Sequence, residues 1–146
     1  MSVEENKELV LRHIEEVYNK EDLSSVDEIM SPDVVFRISK GGYKGSETFK
    51  QTHLYTRKAF PDMHVTVNGV VAEGEWVVVR WTLTGTHKGE YYGAPPTNKQ
   101  IDVEWASFYY FEGDKVVEVS HFVDTLTMFS QLGITPPTPP TEEIKK

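Results

Sequence analysis

Two polar residues stand where strand alternation predicts burial, and both are of types that move protons. Ser107 falls between Trp105 and Tyr109 on one face of the run Ile101 to Phe111, and His121 falls between Val119 and Val123 on one face of the next run. Alternate residues of a strand share a face, and the turn EGDK (112–115) folds the two runs against each other, so Ser107 and His121 come close. An imidazole titrates near neutrality, and a dry pocket can tune it into a general base. Tyr18, Thr52 and His53 lie on helical faces that meet the same sheet, while Trp81, Trp105 and Tyr109 supply aromatic walls. The expected site is a polar cluster in an aromatic box. His121 is its candidate base and Tyr18 its candidate hydrogen-bond donor. Thr52, His53, Trp81, Trp105, Ser107 and Tyr109 surround the substrate.

Other chemistries lack their residues. His121 and Asp124 are three apart on a strand and point to opposite faces; His13, His64 and His87 have no ligand spacing. No metal site is expected. There is no cysteine, so thiol catalysis and thiolate metal sites are excluded. GTHKG (85–89) and KGGYKG (40–45) lack the strand-to-helix context of a phosphate cradle, and no nucleophile elbow occurs. No cofactor is expected. The net charge of −8 repels nucleic acid and anionic lipid. The N-terminus MSVEENKELV is charged where a signal peptide is apolar, and no apolar run is long enough to span a bilayer, so the expected location is the cytoplasm.

The elements that must position these residues come in an α+β order. Val10, Ile14, Val17 and Tyr18 fall at helical spacing over Ser2 to Lys20, with Ser2 and Glu5 as a capping box. A short helix is expected over Ser25 to Met30, stopped by Pro32, then a strand VVFRI (34–38). KGGYKG reads as a turn. Ser46 to Phe60 is helical, with Phe49, Thr52, His53, Thr56, Ala59 and Phe60 on one face. Four runs of period two follow, the last with Val117, Val119, His121 and Val123 on one face. A brief helix covers Leu126 to Leu132. The fold expected is a curved antiparallel sheet wrapped around the N-terminal helices as a cone with an internal pocket. One domain spans residues 1–134, and a Pro-rich extended tail spans 135–146.

Between the second and third runs lies GTHKGEYYGAPPTNKQ (85–100), where Tyr91 and Tyr92 sit in a turn-rich loop and are expected on the cavity rim against the substrate, or resting on the sheet edge. This stretch, with FPDMHVTV before it, FEGDKVVEV and DTLTMFSQLG after it, and NKELVLRHIEEVYNKEDLSSVDEIMSPD at the N-terminus, resembles the SnoaL-like polyketide cyclase family of the nuclear transport factor 2-like superfamily over about residues 6–134. The resemblance implies aldol ring closure by an acid/base aspartate, without metal or cofactor. By spacing from GAPPT that position holds His121, and a pocket histidine of the cyclases falls on Ser107. Tyr18 and Thr52 match pocket positions and Glu104 a family glutamate, whereas Arg37, Val119 and Ser120 depart from many relatives. A homodimer paired through the outer sheet face is implied as well.

The function expected is a cofactor-free acid/base enzyme acting on a small apolar or aromatic carbonyl compound by aldol cyclisation, isomerisation or dehydration. The alternatives are a non-catalytic small-molecule binder of the same fold and an epoxide hydrolase. An aspartate placed at 121 is expected to keep part of the activity, with its optimum displaced toward acid.

Overall fold

The computed structural model describes residues 2–38 and 41–135, so residues 136–146 of the expected tail lie outside the described residues. Helix α1 (Val3–Ile14) opens on the capping box: Glu5 N–H donates to Ser2 Oγ and Ser2 N–H to the Glu5 carboxylate. It continues into a π-helical turn, Glu15–Asn19, where the N–H of Lys20 reaches back five residues to Glu15. The short helix α2 (Val26–Ile29) ends before Pro32, which sits inside strand β1 (Met30–Ile38). There the pairing register shifts between Met30 and Val35, a position that tolerates proline's missing N–H.

Helix α3 (Ser46–Ala59) precedes four strands: β3 (His64–Glu73), β4 (Trp76–Thr86), β5 (Gln100–Glu112) and β6 (Lys115–Val123). Helix α4 (Thr125–Leu132) follows, capped by the Asp124 side chain accepting from Thr127 N–H. Of KGGYKG, whose Lys40 lies outside the described residues, Gly41–Lys44 do not form the expected turn but an edge strand, β2, antiparallel to β1. Its glycines hide the strand from a propensity reading.

Among the described residues the six strands form one curved, unclosed sheet in the order β2-β1-β6-β5-β4-β3. The four-strand meander is antiparallel, as alternation requires, but β1 joins β6 in parallel, so the sheet as a whole is mixed. That crossover places the N-terminal helices over the inner face: α1 packs on β3 and β4, and α3 on β1 and β2. Inner positions of β4 and β5 alternate without a slip, burying Val77, Val79, Trp81 and Leu83 against Ile101, Val103, Ser107, Tyr109 and Phe111. In β6 the register shifts opposite Tyr110 and Phe111, so Val116 is buried and Val117 is not, contrary to plain alternation. Such bulges bend a strand and strengthen its twist, which curves the sheet around the helices.

Candidate active site

The inner sheet face and the helices enclose a pocket of about 70 Å³ with mainly apolar walls. Six of the expected residues line it: Tyr18, Thr52, His53, Trp81, Trp105 and His121. Ser107 and Tyr109 do not. They are fully buried in the layer behind the pocket, and Ser107 faces His121 directly as its cross-strand partner. Trp81 Nε1 donates to Ser107 Oγ at 2.8 Å, and Ser107 Oγ lies 2.7 Å from His121 Nδ1. The cross-strand pairs Trp81–Trp105 and Val79–Ser107 hold these groups in one plane of strands, and the two indoles stack at 4.6 Å.

His121 is 5% exposed, and burial pushes its pKa from 6.5 down to about 4, because the charged ring loses its hydration. It is therefore neutral at pH 7. Its Nδ1 is engaged with Ser107, leaving Nε2 as the nitrogen for a ligand. Trp105 stands edge-on to the imidazole at 5.5 Å, and Phe36 lies against it at 5.8 Å. Trp105 Nε1 and His53 Nε2 are buried without partners. Burial, and the positive charge of Arg57, lower the pKa of His53 to about 4.

Tyr18 reaches the pocket because the helix bearing it is widened and locked. Asn19 pairs with the backbone of Val65, its Oδ1 accepting from Val65 N–H at 2.7 Å and its Nδ2 donating to Val65 O at 2.9 Å. Arg57 donates to the carbonyl oxygens of Val17, Tyr18 and Met63. Tyr18 thereby sits 5.1 Å from the His53 ring and 5.6 Å from Trp81. Burial raises its pKa well above the ordinary phenol value, so it keeps its proton and donates.

The loop tyrosines are placed differently from the expectation. Tyr91 is buried against Phe60, at 5.2 Å, and Phe129, and does not line the pocket. Tyr92 is 60% exposed, its N–H donates to the Tyr55 hydroxyl, and it is not among the residues lining the pocket. The loop is closed by His87, whose N–H and C=O bond Lys99 and Asn98 and whose Nδ1 accepts from Thr97 N–H. Gly89 presses on the last turn of α3, where a Cβ would overlap the Lys58 carbonyl oxygen.

Sequence reasoning missed Tyr43, hidden in the unrecognised strand β2, and His13. His13 is 1% exposed, packed against Phe49 and Tyr109, with Nδ1 unpartnered and its pKa lowered to about 3, first by burial and then by its proximity to His121 and His53. Its spacing of three from Val10 and four from Val17 was the available signal. Among the described residues no three His, Asp or Glu side chains converge as a metal site.

Similarity to known proteins follows the same outline. AclR from Streptomyces galilaeus, a candidate hydroxylase, superposes with TM-score 0.81 at 30% identity, over 94% of this chain and 87% of that one. A candidate SnoaL-like polyketide cyclase from Jannaschia sp. CCS1 gives 0.82 at 28%, over 90% and 93%. IdmH from Streptomyces antibioticus, a candidate polyketide cyclase, gives 0.77 at 28%, over 88% and 99%. No curated protein matches the chain. Since the relatives carry two different activity names on one fold, the fold alone assigns no reaction. The match to the SnoaL-like polyketide cyclase family runs from residue 8 to residue 132, from within α1 to the end of α4, and the chain belongs to that family.

Proposed function

We propose that the protein is a cytoplasmic, cofactor-independent acid/base enzyme that removes a proton adjacent to the carbonyl of a small apolar or aromatic compound. Aldol cyclisation, isomerisation and dehydration all begin with that step. The observation that carries the reading is His121: a neutral imidazole on the wall of an apolar pocket, bonded behind through one nitrogen and free to meet a ligand with the other. The described lining residues include no carboxylate, so the proton acceptor is an imidazole and no fixed negative charge opposes an enolate.

What the ligand must bring follows from the partnerless atoms. Trp105 and Tyr18 both line the pocket, the indole N–H can only donate and Tyr18 holds its proton, so an oxygen acceptor such as a carbonyl is the group that complements them once the buried indole N–H is uncovered. As negative charge develops on that oxygen, such donors bind it more tightly than the ground state. Thr52 and His53 complete the polar side of the wall, and Trp81 the aromatic side. A volume of about 70 Å³ holds about two waters at ~30 Å³ each, so a ring, for which about 150 Å³ is needed, enters as the walls give way. Epoxide hydrolysis needs a water held between carboxylate and amide side chains, and the described lining residues offer neither.

Deuterium exchange tests the step without knowledge of the product. A panel of small aryl ketones is incubated with the protein in D2O, and loss of the α-proton signal is followed by NMR. Wild type should accelerate exchange of at least one member, and His121→Ala should lose about a hundredfold to ten-thousandfold of that rate. A loss below tenfold removes His121 from the base role. Tight binding of a ketone without exchange would make the protein a binder.

A homodimer is proposed on separate grounds. On the outer sheet face Trp76 contacts Tyr110 at 4.7 Å and Phe108 at 6.5 Å, and Phe108 contacts Phe122 at 5.6 Å. A connected aromatic surface of this kind is the sort that a second copy covers.

A further inference from the structure

We propose that His53 is a second catalytic residue, an electrophile whose ring N–H hydrogen-bonds the carbonyl oxygen of the substrate on the side of the pocket away from His121. This deepens the carbonyl reading above and rests on it.

The two imidazoles stand on different walls. His53 comes from α3 and His121 from β6, and both line the pocket. Ring contacts join them by two routes. One runs from His53 to Tyr18 at 5.1 Å, on to Trp81 at 5.6 Å and on to His121 at 6.4 Å. The other runs from His53 to Phe49 at 6.2 Å, on to Phe36 at 5.0 Å and on to His121 at 5.8 Å. Two aromatic rings separate the imidazoles whichever way the wall is followed, so one bound molecule can meet both through different atoms.

Charge decides which of them meets the oxygen. Arg57 follows His53 by one helical turn, and its guanidinium donates to the Tyr18 carbonyl oxygen. Its ion-pair partner Glu21 lies at 3.3 Å with a side chain 62% exposed, so solvent screens that carboxylate. Burial and the Arg57 charge keep His53 neutral, and the same positive charge favours an anion placed beside the ring. At His121 the cause of the lowered pKa is burial, with no cation contributing. Negative charge that develops on the carbonyl oxygen is therefore better placed at the His53 end, and the C–H to be broken at the His121 end.

The bonding of the ring leaves it available. Among the described residues, two partnerless buried polar atoms belong to the pocket lining, His53 Nε2 and Trp105 Nε1. His121, by contrast, is held from behind by Ser107. Nothing inside the protein competes for His53 Nε2, and a carbonyl oxygen is an acceptor that a ring N–H can meet. Tyr18 stands edge-on to this ring, at an interplanar angle of 82°, so the phenol and the imidazole serve the same end of the pocket.

The bond to the α-hydrogen breaks, the hydrogen passes to His121 as a proton, and the electron pair moves onto the carbonyl oxygen. His53 keeps its N–H throughout. A neutral imidazole holds that proton too firmly to release it at pH 7, yet it binds an enolate oxygen more tightly than a ketone oxygen and so lowers the barrier.

Infrared spectroscopy of bound acetone and acetophenone, each labelled with 13C at the carbonyl, reads the contact without turnover. In wild type the carbonyl stretch should lie below its position in hydrocarbon solvent. His53→Phe should move it back up while the ketone still binds, and His53→Gln, whose amide restores an N–H, should keep most of the wild-type shift. In the exchange assay His53→Phe should lose about a hundredfold in kcat with KM little changed, and the Gln variant should recover part of the loss. A wild-type stretch at the hydrocarbon position overturns the proposal whatever the variants do, and so does a lowered stretch that survives His53→Phe. Failure of both ketones to bind wild type overturns the carbonyl reading and this proposal with it. A lowered stretch that His53→Phe abolishes, in a wild type without α-proton exchange, leaves His53 as the carbonyl donor and removes the base reading of His121 instead.

Discussion

His87 in the loop and His121 on β6 are both buried imidazoles with Nδ1 against a hydroxyl, Thr97 Oγ1 at 3.0 Å in one and Ser107 Oγ at 2.7 Å in the other. At His87 everything points inward. Its Nδ1 accepts the Thr97 backbone N–H, its own N–H and C=O close the loop onto Lys99 and Asn98, and Nε2 is buried without a partner near Phe60. At His121 the hydroxyl side is equally fixed, but the ring also lines a cavity. Burial and a hydroxyl partner therefore do not distinguish a structural histidine from a reactive one. The fate of the second nitrogen does.

Paired alanine substitutions are the strongest way to break this contrast. His121→Ala should lose the exchange activity on the scale given above while its melting temperature stays close to wild type, since the space it opens adjoins an existing pocket. His87→Ala should do the reverse. Losing a fully buried side chain and the anchor of the loop should cost about 2–4 kcal/mol, which for a domain of this size lowers the melting temperature by roughly 3 °C per kcal/mol. A variant of His87 that is stable but inactive would erase the distinction.

Acid sharpens it. With the His121 pKa at about 4, the base stays deprotonated down to that region, so the acid limb of kcat/KM should lie near pH 4 and not near 6.5. A limb at 6.5 would mean that water reaches the ring. The expectation that His121→Asp shifts the optimum toward acid is reversed by the same burial, which lowers an imidazole pKa but raises that of a carboxylic acid. The Asp variant should have its limb at or above the wild-type position.

A smaller effect lies in stability. His13, His53 and His121 have folded pKa values of about 3, 4 and 4, all below the unfolded value near 6.5. Below pH 6.5 the unfolded chain takes up protons that the folded chain refuses, so this contribution is complete above 6.5 and is lost as pH falls toward 4 and 3. The melting temperature should drop across that window, and His13→Leu, which removes one of the buried imidazoles, should flatten the drop. The smallest expected change is in Phe122→Glu, 59% exposed on the outer face: light scattering should find monomers at concentrations where wild type is dimeric, with stability nearly unaltered. A wild-type monomer at high concentration would end the dimer reading.

The legible part of the molecule was the part governed by local period. Alternation in β4 and β5 put Trp81, Trp105, Ser107 and Tyr109 on the inner sheet face, though only the two tryptophans reach the pocket, and the turn at Gly113 set Ser107 opposite His121. Parallel pairing of β1 with β6 joins residues about 80 apart and leaves no local mark. The bulge that buries Val116 in place of Val117 is invisible to a period of two. Tyr91 and Tyr92 share a sequence context yet only one is buried, because Phe60 and Phe129 arrive from distant elements. His13 was legible from helical spacing, but a histidine on an apolar stripe attracts notice only once its neighbours are known.

The π-helical turn at Glu15–Asn19 is, in register, an α-helix with one residue let in. Removing a residue there would restore 3.6 residues per turn and swing all that follows by about 100°. Tyr18 would leave the cavity wall, and Asn19 would lose its place beside Val65. The helix itself would gain regularity by the change. A chain drifting by small deletions can thus shed its site while improving its scaffold, and length at this point records whether a descendant still keeps the pocket furnished.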